Sequence, residues 1–315
     1  MKAIAMVKRA DQYLSYRRNL GAKIHIEGKQ LLKFAKFADD LGHKGPLTLD
    51  LALDWAQLPT RGAQLYKARR LEVVRCFAKY EAIFEPKTVI PGSSLLGPAH
   101  RRTTPYIFSK DEIQQILSSA RMLWPKNGIR PQTYETLFSL LTCTGLRISE
   151  ALRLSRRDFD QRRGLLTIRE TKFQKSRLVP MHRSALEPMI KYSLMRDRLV
   201  KNQKAEEFFL SSNGKALKYS TVRTVFMHLR NQLPRYSEAR RRPRMHDFRH
   251  TFACQRLLEW HRDGVEFENG ILALSTYLGH VKVSDTYWYL TGIPELLEIA
   301  SMRFEPMHTK KVGTI

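Results

Sequence analysis

His246-Asp-Phe-Arg-His250 opens the decisive stretch of this chain, which runs on through Leu278-Gly-His280 to Thr286-Tyr-Trp-Tyr-Leu290. A histidine and an arginine three residues apart share one face of a helix. A glycine after an apolar helical run marks a helix end, as at Gly279. Upstream, Thr144-Gly-Leu-Arg-Ile-Ser-Glu150 has the same grammar. Gly145 stops one helix and Arg147 begins the next, where backbone N–H groups and the helix dipole already favour an anion. The elements together offer Arg147, Arg249, His246, His250, His280 and a tyrosine at 287 or 289.

Such a set suits attack on a phosphodiester by a protein nucleophile. A nucleophile must reach phosphorus, and charge must be held on the non-bridging oxygens. A base must take the nucleophile's proton and an acid must give one to the leaving oxygen. Arginine suits the charge, because its planar fork matches two phosphate oxygens and stays protonated. A phenol near its ordinary pKa of about 10 needs flanking cations to ionise. Residues two apart on a helix point about 200° apart, so Tyr287 and Tyr289 cannot both face one phosphate. The acid is sought on the polar loop Lys172-Phe-Gln-Lys-Ser176 between two strand-like runs, where Lys172 and Lys175 both qualify.

Composition narrows the partner. The chain has 315 residues, 55 Lys+Arg against 30 Asp+Glu, a net charge of +25 and a pI near 10.2. Hydrophobic residues make up 43%, enough for a packed core, so this is no disordered basic tail. A foldable chain this basic points to a polyanion, most simply nucleic acid; a ribosome-associated basic protein is the blander reading. The excess lies in both parts of the chain, as a clamp around phosphates requires. Cys76, Cys143 and Cys254 show no CxxC spacing, which argues against a zinc site or a disulfide framework and fits a reducing cytosol. Cys143 and Cys254 lie in apolar helical patterns and are expected to be buried. No run approaches the roughly 20 apolar residues of a membrane span, and no signal-peptide core is read at the N-terminus.

The chain reads as two domains. Residues 1–90 form a helical domain with a basic face, with helices over Gly28–Leu41, from Thr48, and over Ala63–Phe84. Residues 91–106 are turn-rich and basic and read as an exposed linker. Residues 107–315 are mixed. Ser109 with Glu112 forms a capping box. A helix with Pro131 in its first turn ends at Gly145. Strands follow at Gly164–Arg169 and Arg177–Pro180. Helices then start near Ser184 (with Glu187 as capping partner), near Ser220, at His246 and over Leu272–Leu278. Pro294–Arg303 reads as a short amphipathic helix.

TGLRISEALRL, HDFRHTFA and LGH, in this order, resemble the boxes of the tyrosine recombinase, or phage integrase-like, family. The resemblance is strong over about 107–300 and loose before it. It implies an α+β, mostly α fold: an N-terminal helical core-binding (SAM-like) domain and a catalytic domain with a small antiparallel sheet. It implies Tyr289 as nucleophile, nine residues after His280, with Tyr287 and Trp288 as packing residues. It also implies Arg147 and Arg249 on the phosphate, His246 assisting proton transfer, His280 on a phosphate oxygen and Lys172 as the acid. His250 is expected to pack or orient, and Glu150 to brace the first arginine. No cofactor or metal is implied. The expected activity is site-specific strand exchange through a 3′-phosphotyrosine, for integration, excision or transposition of a mobile element. The expected setting is a homo-tetramer on double-stranded DNA, sometimes with sibling recombinases, in a bacterial-type cytoplasm beside the nucleoid and off any membrane. Relaxation of DNA in the manner of a type IB topoisomerase, and a non-catalytic DNA-binding role, are the alternatives.

Overall fold

The protein is described here by a computed structural model, covering residues 5–59, 63–100, 104–169, 176–201, 205–234, 241–292 and 294–301. It divides into two compact units, 1–103 and 104–315.

The first unit is built on four helices: α1 (Met6–Asn19), α2 (His25–Asp40), α3 (Leu49–Gln57) and α4 (Gln64–Glu81). Thr48 caps α3, its hydroxyl accepting the Leu51 N–H at 3.3 Å. The sequence did not signal α1, because its buried stripe is only Met6, Ala10, Tyr13 and Leu14 among charged neighbours. The core joins Phe34, Trp55, Phe77 and Leu71. Arg70 is buried inside it, 3.7 Å over the Trp55 ring, and donates to the Trp55 carbonyl.

The stretch read as a free linker is tied to α4 over much of its length. Arg75 donates through Nε to the Pro91 carbonyl at 2.8 Å and through Nη2 to that of Gly92 at 2.9 Å. Arg69 Nε reaches the Ala99 carbonyl at 2.9 Å. Two arginines of α4 are thus engaged by the chain's own backbone. The break between units falls at 103/104, after this stretch.

The second unit holds α5 (Lys110–Arg121), α6 (Ile129–Thr144), α7 (Ile148–Arg153), β1 (Phe159–Asp160), β2 (Leu165–Ile168), β3 (Arg177–Pro180), α8 (Arg183–Leu199), α9 (Tyr219–Arg230), α10 (Asp247–Arg262), α11 (Phe267–Leu278), α12 (Ser284–Tyr287), a 3-10 turn over Trp288–Gly292, and α13 (Pro294–Ser301). The fold is mostly helical with a three-stranded antiparallel sheet ordered β1-β2-β3. Ile168 pairs with Arg177 at the root of the β2–β3 loop. Ser109 and Glu112 form the anticipated capping box, at 3.1 and 2.8 Å.

Two local readings are corrected. The cap of α8 is His182, whose Nδ1 accepts the Ser184 N–H at 3.3 Å, while Glu187 pairs with Arg183 one turn away. Cys143 is exposed and only Cys254 is buried, because α6 turns Leu140, Leu141 and Thr144 inward instead.

α10 links two cores. Phe248 enters the larger one, stacked on Phe108 at 4.7 Å between ring centres. Ala253, Cys254 and Leu257 enter the smaller, with Ile271, Leu274, Leu278 and Leu296. Each fully buried Phe or Leu stabilises by about 2–3 kcal/mol, so the start of α10 is held rigidly where His246 and Arg249 stand. Among the described residues no helix is long and apolar enough to cross a membrane.

Candidate active site

The α6–α7 corner comes first. Gly145 adopts φ +60°, the left-handed turn that ends α6. A Cβ there would lie 2.5 Å from Phe252 Cδ1 and 3.1 Å from Leu278 Cδ2, so only glycine fits. Arg147 caps α7. Its N–H donates to Glu150 Oε2 at 2.9 Å and its Nη1 to Oε1 at 2.8 Å. Glu150 is 3% exposed and collects Arg177 as well, Nη1 to Oε1 at 3.1 Å and Nη2 to Oε2 at 2.9 Å. Burial pushes this carboxyl up, yet Arg177 and then Arg147 outweigh it and hold the group at about 2.

The second corner is the start of α10. His246 sits at the N-cap, and its carbonyl accepts the Arg249 N–H at 3.1 Å. Asp247 is fully buried and takes the Arg244 N–H at 2.6 Å, which fixes the approach to the helix. Arg249 is 1% exposed. Its Nη1 donates to the Gly145 carbonyl at 3.0 Å and its Nη2 to the Leu278 carbonyl at 2.8 Å. It therefore joins the ends of α6 and α11. The Arg147 side chain is about one-third exposed (32%) and is the more accessible of the two forks.

The third corner follows α11. Gly279 is left-handed at φ +68°, and the His280 N–H returns to the Ser275 carbonyl at 3.0 Å. This turn brings the His280 ring back over the site. Thr286 Oγ1 lies 2.7 Å from His280 Nδ1 and sets the ring's orientation. His280 Nε2 then stands 3.5 Å from the Tyr289 hydroxyl. Tyr289 is 3% exposed whereas Tyr287 is 49% exposed, so Tyr289 alone of the pair faces inward. The His250 ring lies between, 4.8 Å from His246 and 5.4 Å from Tyr289 by ring centres.

The site is cationic before anything binds, and burial pushes its histidines and Tyr289 toward their neutral forms. Burial, then Arg249, Arg244 and Arg147, lowers His246 to about 4. Burial, then His246 and the neighbouring arginines, lowers His250 to about 3. Burial, then Arg249 and Arg147, lowers His280 to about 4. Burial raises the Tyr289 phenol, while Arg249, by charge and hydrogen bond, and Arg147 pull against it. An arriving phosphate would reverse the arginines' effect on the histidines.

Five of the six sequence-predicted residues, Arg147, His246, Arg249, His280 and Tyr289, come together here. Lys172 lies within 170–175, outside the described residues. Arg177 and Thr286 carry no box-like signal and were not singled out for the site. Arg177 was visible only as a charge at the first position of an otherwise apolar strand. Among the described residues no His, Cys, Asp and Glu cluster fit to hold a metal occurs.

The chain matches the phage integrase family over residues 107–292. It is 42% identical over 302 residues to a Sinorhizobium fredii protein named "Putative integrase/recombinase y4rB", covering 94% of this chain and 95% of that one. It is 25% identical over 225 residues to a Staphylococcus epidermidis tyrosine recombinase XerD, 70% of each chain. The fold resembles the Tn1549 transposon integrase, solved in complex with transposon right end DNA, with a TM-score of 0.69 at 16% identity, over 95% of this chain and 99% of that one. It also resembles XerH site-specific recombinase bound to a palindromic difH substrate, with a TM-score of 0.63 at 19% identity, over 95% and 85%. Fold and relatives together define a tyrosine-type site-specific recombinase. Within that class, the chain belongs to the phage integrase family.

Proposed function

We propose that the protein cuts and rejoins double-stranded DNA at specific sites through Tyr289, in the service of a mobile element. The observation that carries the residue roles is the buried Tyr289 hydroxyl, 3.5 Å from His280 and beside two arginines. The Tyr289 oxygen attacks phosphorus as its proton passes to His246. A new phosphorus–oxygen bond forms to the tyrosine, the bond to the 5′ oxygen breaks, and Lys172 protonates that oxygen. The 3′-phosphotyrosine keeps the energy of the phosphodiester, so a 5′-hydroxyl from a partner site displaces the tyrosine without ATP.

Arg147, the more accessible fork, takes the non-bridging oxygens with His280. Arg249 joins them on the phosphate, since each Nη keeps a second N–H beyond the carbonyl it binds, and both arginines favour the Tyr289 phenolate by charge. His250 orients, and Glu150 braces Arg147. Residues 1–90 and 107–315 clamp the duplex across the 91–106 stretch, and four protomers hold two sites through a Holliday junction.

Trapping tests the reading. Wild type and Tyr289→Phe are incubated with nicked suicide duplexes tiled from DNA flanking the gene. An SDS-resistant adduct with wild type alone is expected. Equal adducts with both would remove Tyr289 from the reaction.

A further inference from the structure

Thr286 is fully buried, and its hydroxyl lies 2.7 Å from His280 Nδ1. Its main chain is held separately, the N–H donating to the Val283 carbonyl at 2.8 Å. Thr133, Thr251 and Thr276 each return the hydroxyl to the carbonyl four residues earlier. Thr286 does not, and among the described residues its hydroxyl meets His280 alone. A hydroxyl has one proton to give, and burying it ungiven is costly. Given to Nδ1, that proton requires the neutral imidazole to carry its own hydrogen on Nε2. Nε2 is the nitrogen that stands 3.5 Å from the Tyr289 hydroxyl. The opposite tautomer would leave the Thr286 proton without an acceptor and turn a bare lone pair toward Tyr289. The His280 ring also lies nearly parallel to that of Tyr289, 5.8 Å between centres and 23° between planes, so its two nitrogens keep distinct surroundings.

We propose that Thr286 is a positioning residue whose hydroxyl holds the neutral His280 ring with its proton on Nε2, so that His280 meets the phosphate as a hydrogen-bond donor without carrying charge. This rests on the reading that His280 serves a phosphate oxygen. The neutral form matters because burial, then Arg249 and Arg147, press His280 toward it. A neutral ring has one donor, so the nitrogen that holds the proton decides whether the ring can serve an anion at all. Charge on the phosphate oxygens grows as Tyr289 attacks, and a donor aimed beforehand stabilises it without reorganising. Only the hydroxyl of Thr286 enters this argument. Serine keeps that hydroxyl, whereas valine keeps the shape and loses it.

Nitrogen NMR of the imidazoles in the full chain at neutral pH locates the proton directly, with His280 assigned by its absence in His280→Ala. The expected wild-type spectrum has Nε2 protonated and Nδ1 bare. A proton on Nδ1 would overturn the proposal and make His280 an acceptor toward Tyr289. This spectrum is read on the wild type, so it decides even where Thr286→Val fails to fold. Single-turnover cleavage of the trapping duplex is the second readout. Thr286→Val should cut roughly tenfold more slowly, the worth of about one hydrogen bond, with its affinity for the duplex unchanged. Thr286→Ser should cut at nearly the wild-type rate. A His280→Ala background separates positioning from packing damage: there Thr286→Val should cost nothing further, because its route to the reaction is gone. Equal losses with and without His280, or a wild-type rate in Thr286→Val, would overturn the proposal. A wild type that forms no adduct would sink strand cleavage by Tyr289 and this role of Thr286 together, whereas one that cuts with the His280 proton on Nδ1 would sink the role alone.

Discussion

Arg249 and Gly145, 104 positions apart in the sequence, are joined by a 3.0 Å hydrogen bond from guanidinium to carbonyl. The bond exists because Gly145 turns left-handed and leaves its carbonyl facing α10. Alanine there combines a strained backbone with a Cβ 2.5 Å from Phe252 Cδ1. Gly145→Ala should destabilise the second unit by about 3 kcal/mol or more, seen as a lower urea midpoint. A loss below about 0.5 kcal/mol would mean the corner relaxes freely.

Tyr287 and Tyr289 should separate cleanly. Tyr287 is half exposed. Tyr287→Phe should keep the covalent adduct and change stability by less than about 0.5 kcal/mol. Loss of the adduct in a folded Tyr287→Phe protein would reassign the nucleophile.

Glu150 sets an acid limit. Its folded value near 2 lies below the ordinary 4.5, so its contribution is complete above about 4.5 and fades as pH falls toward 2. The gap corresponds to about 3 kcal/mol in order of magnitude. Unfolding free energies of wild type and Glu150→Gln should therefore differ most near pH 6 and converge as acid is added. A constant difference across that range would show that the carboxylate's charge is not what stabilises the corner.

The three histidines carry the same sign. Held at about 4, 3 and 4, they resist protonation in the folded state, so acid below the unfolded value near 6.5 favours unfolding. Imidazole NMR should find His246, His250 and His280 neutral at pH 6 in the free protein. With the trapping duplex bound to Tyr289→Phe, His246 and His280 should titrate at higher pH, because a phosphate offsets the arginines. No upward movement would place both outside the phosphate's reach.

The boxes made the site legible to a large extent. Gly145, His246 and Gly279 stand at helix ends, and helix ends have local signatures. Arg177 and Thr286 were opaque for the opposite reason. Arg177 matters through Glu150, 27 residues earlier, and Tyr277, 100 residues later. Thr286 matters through one hydroxyl aimed at His280. Neither leaves a periodic trace. α1 was missed because four buried residues among many charges give little amphipathic contrast. Cys143 was misread because an apolar neighbourhood in sequence does not say which side of α6 faces the core.

The arginines that grip the 91–100 stretch bear on how the net charge of +25 should be interpreted. Affinity for a duplex falls with added salt in proportion to the counterions displaced, and only cations that reach phosphates displace them. Arg69, Arg70, Arg75 and Arg177 hold carbonyls of their own chain. Formal charge therefore overstates the ionic footprint, and part of this chain's basicity serves as internal scaffolding that no change in ionic strength will reveal.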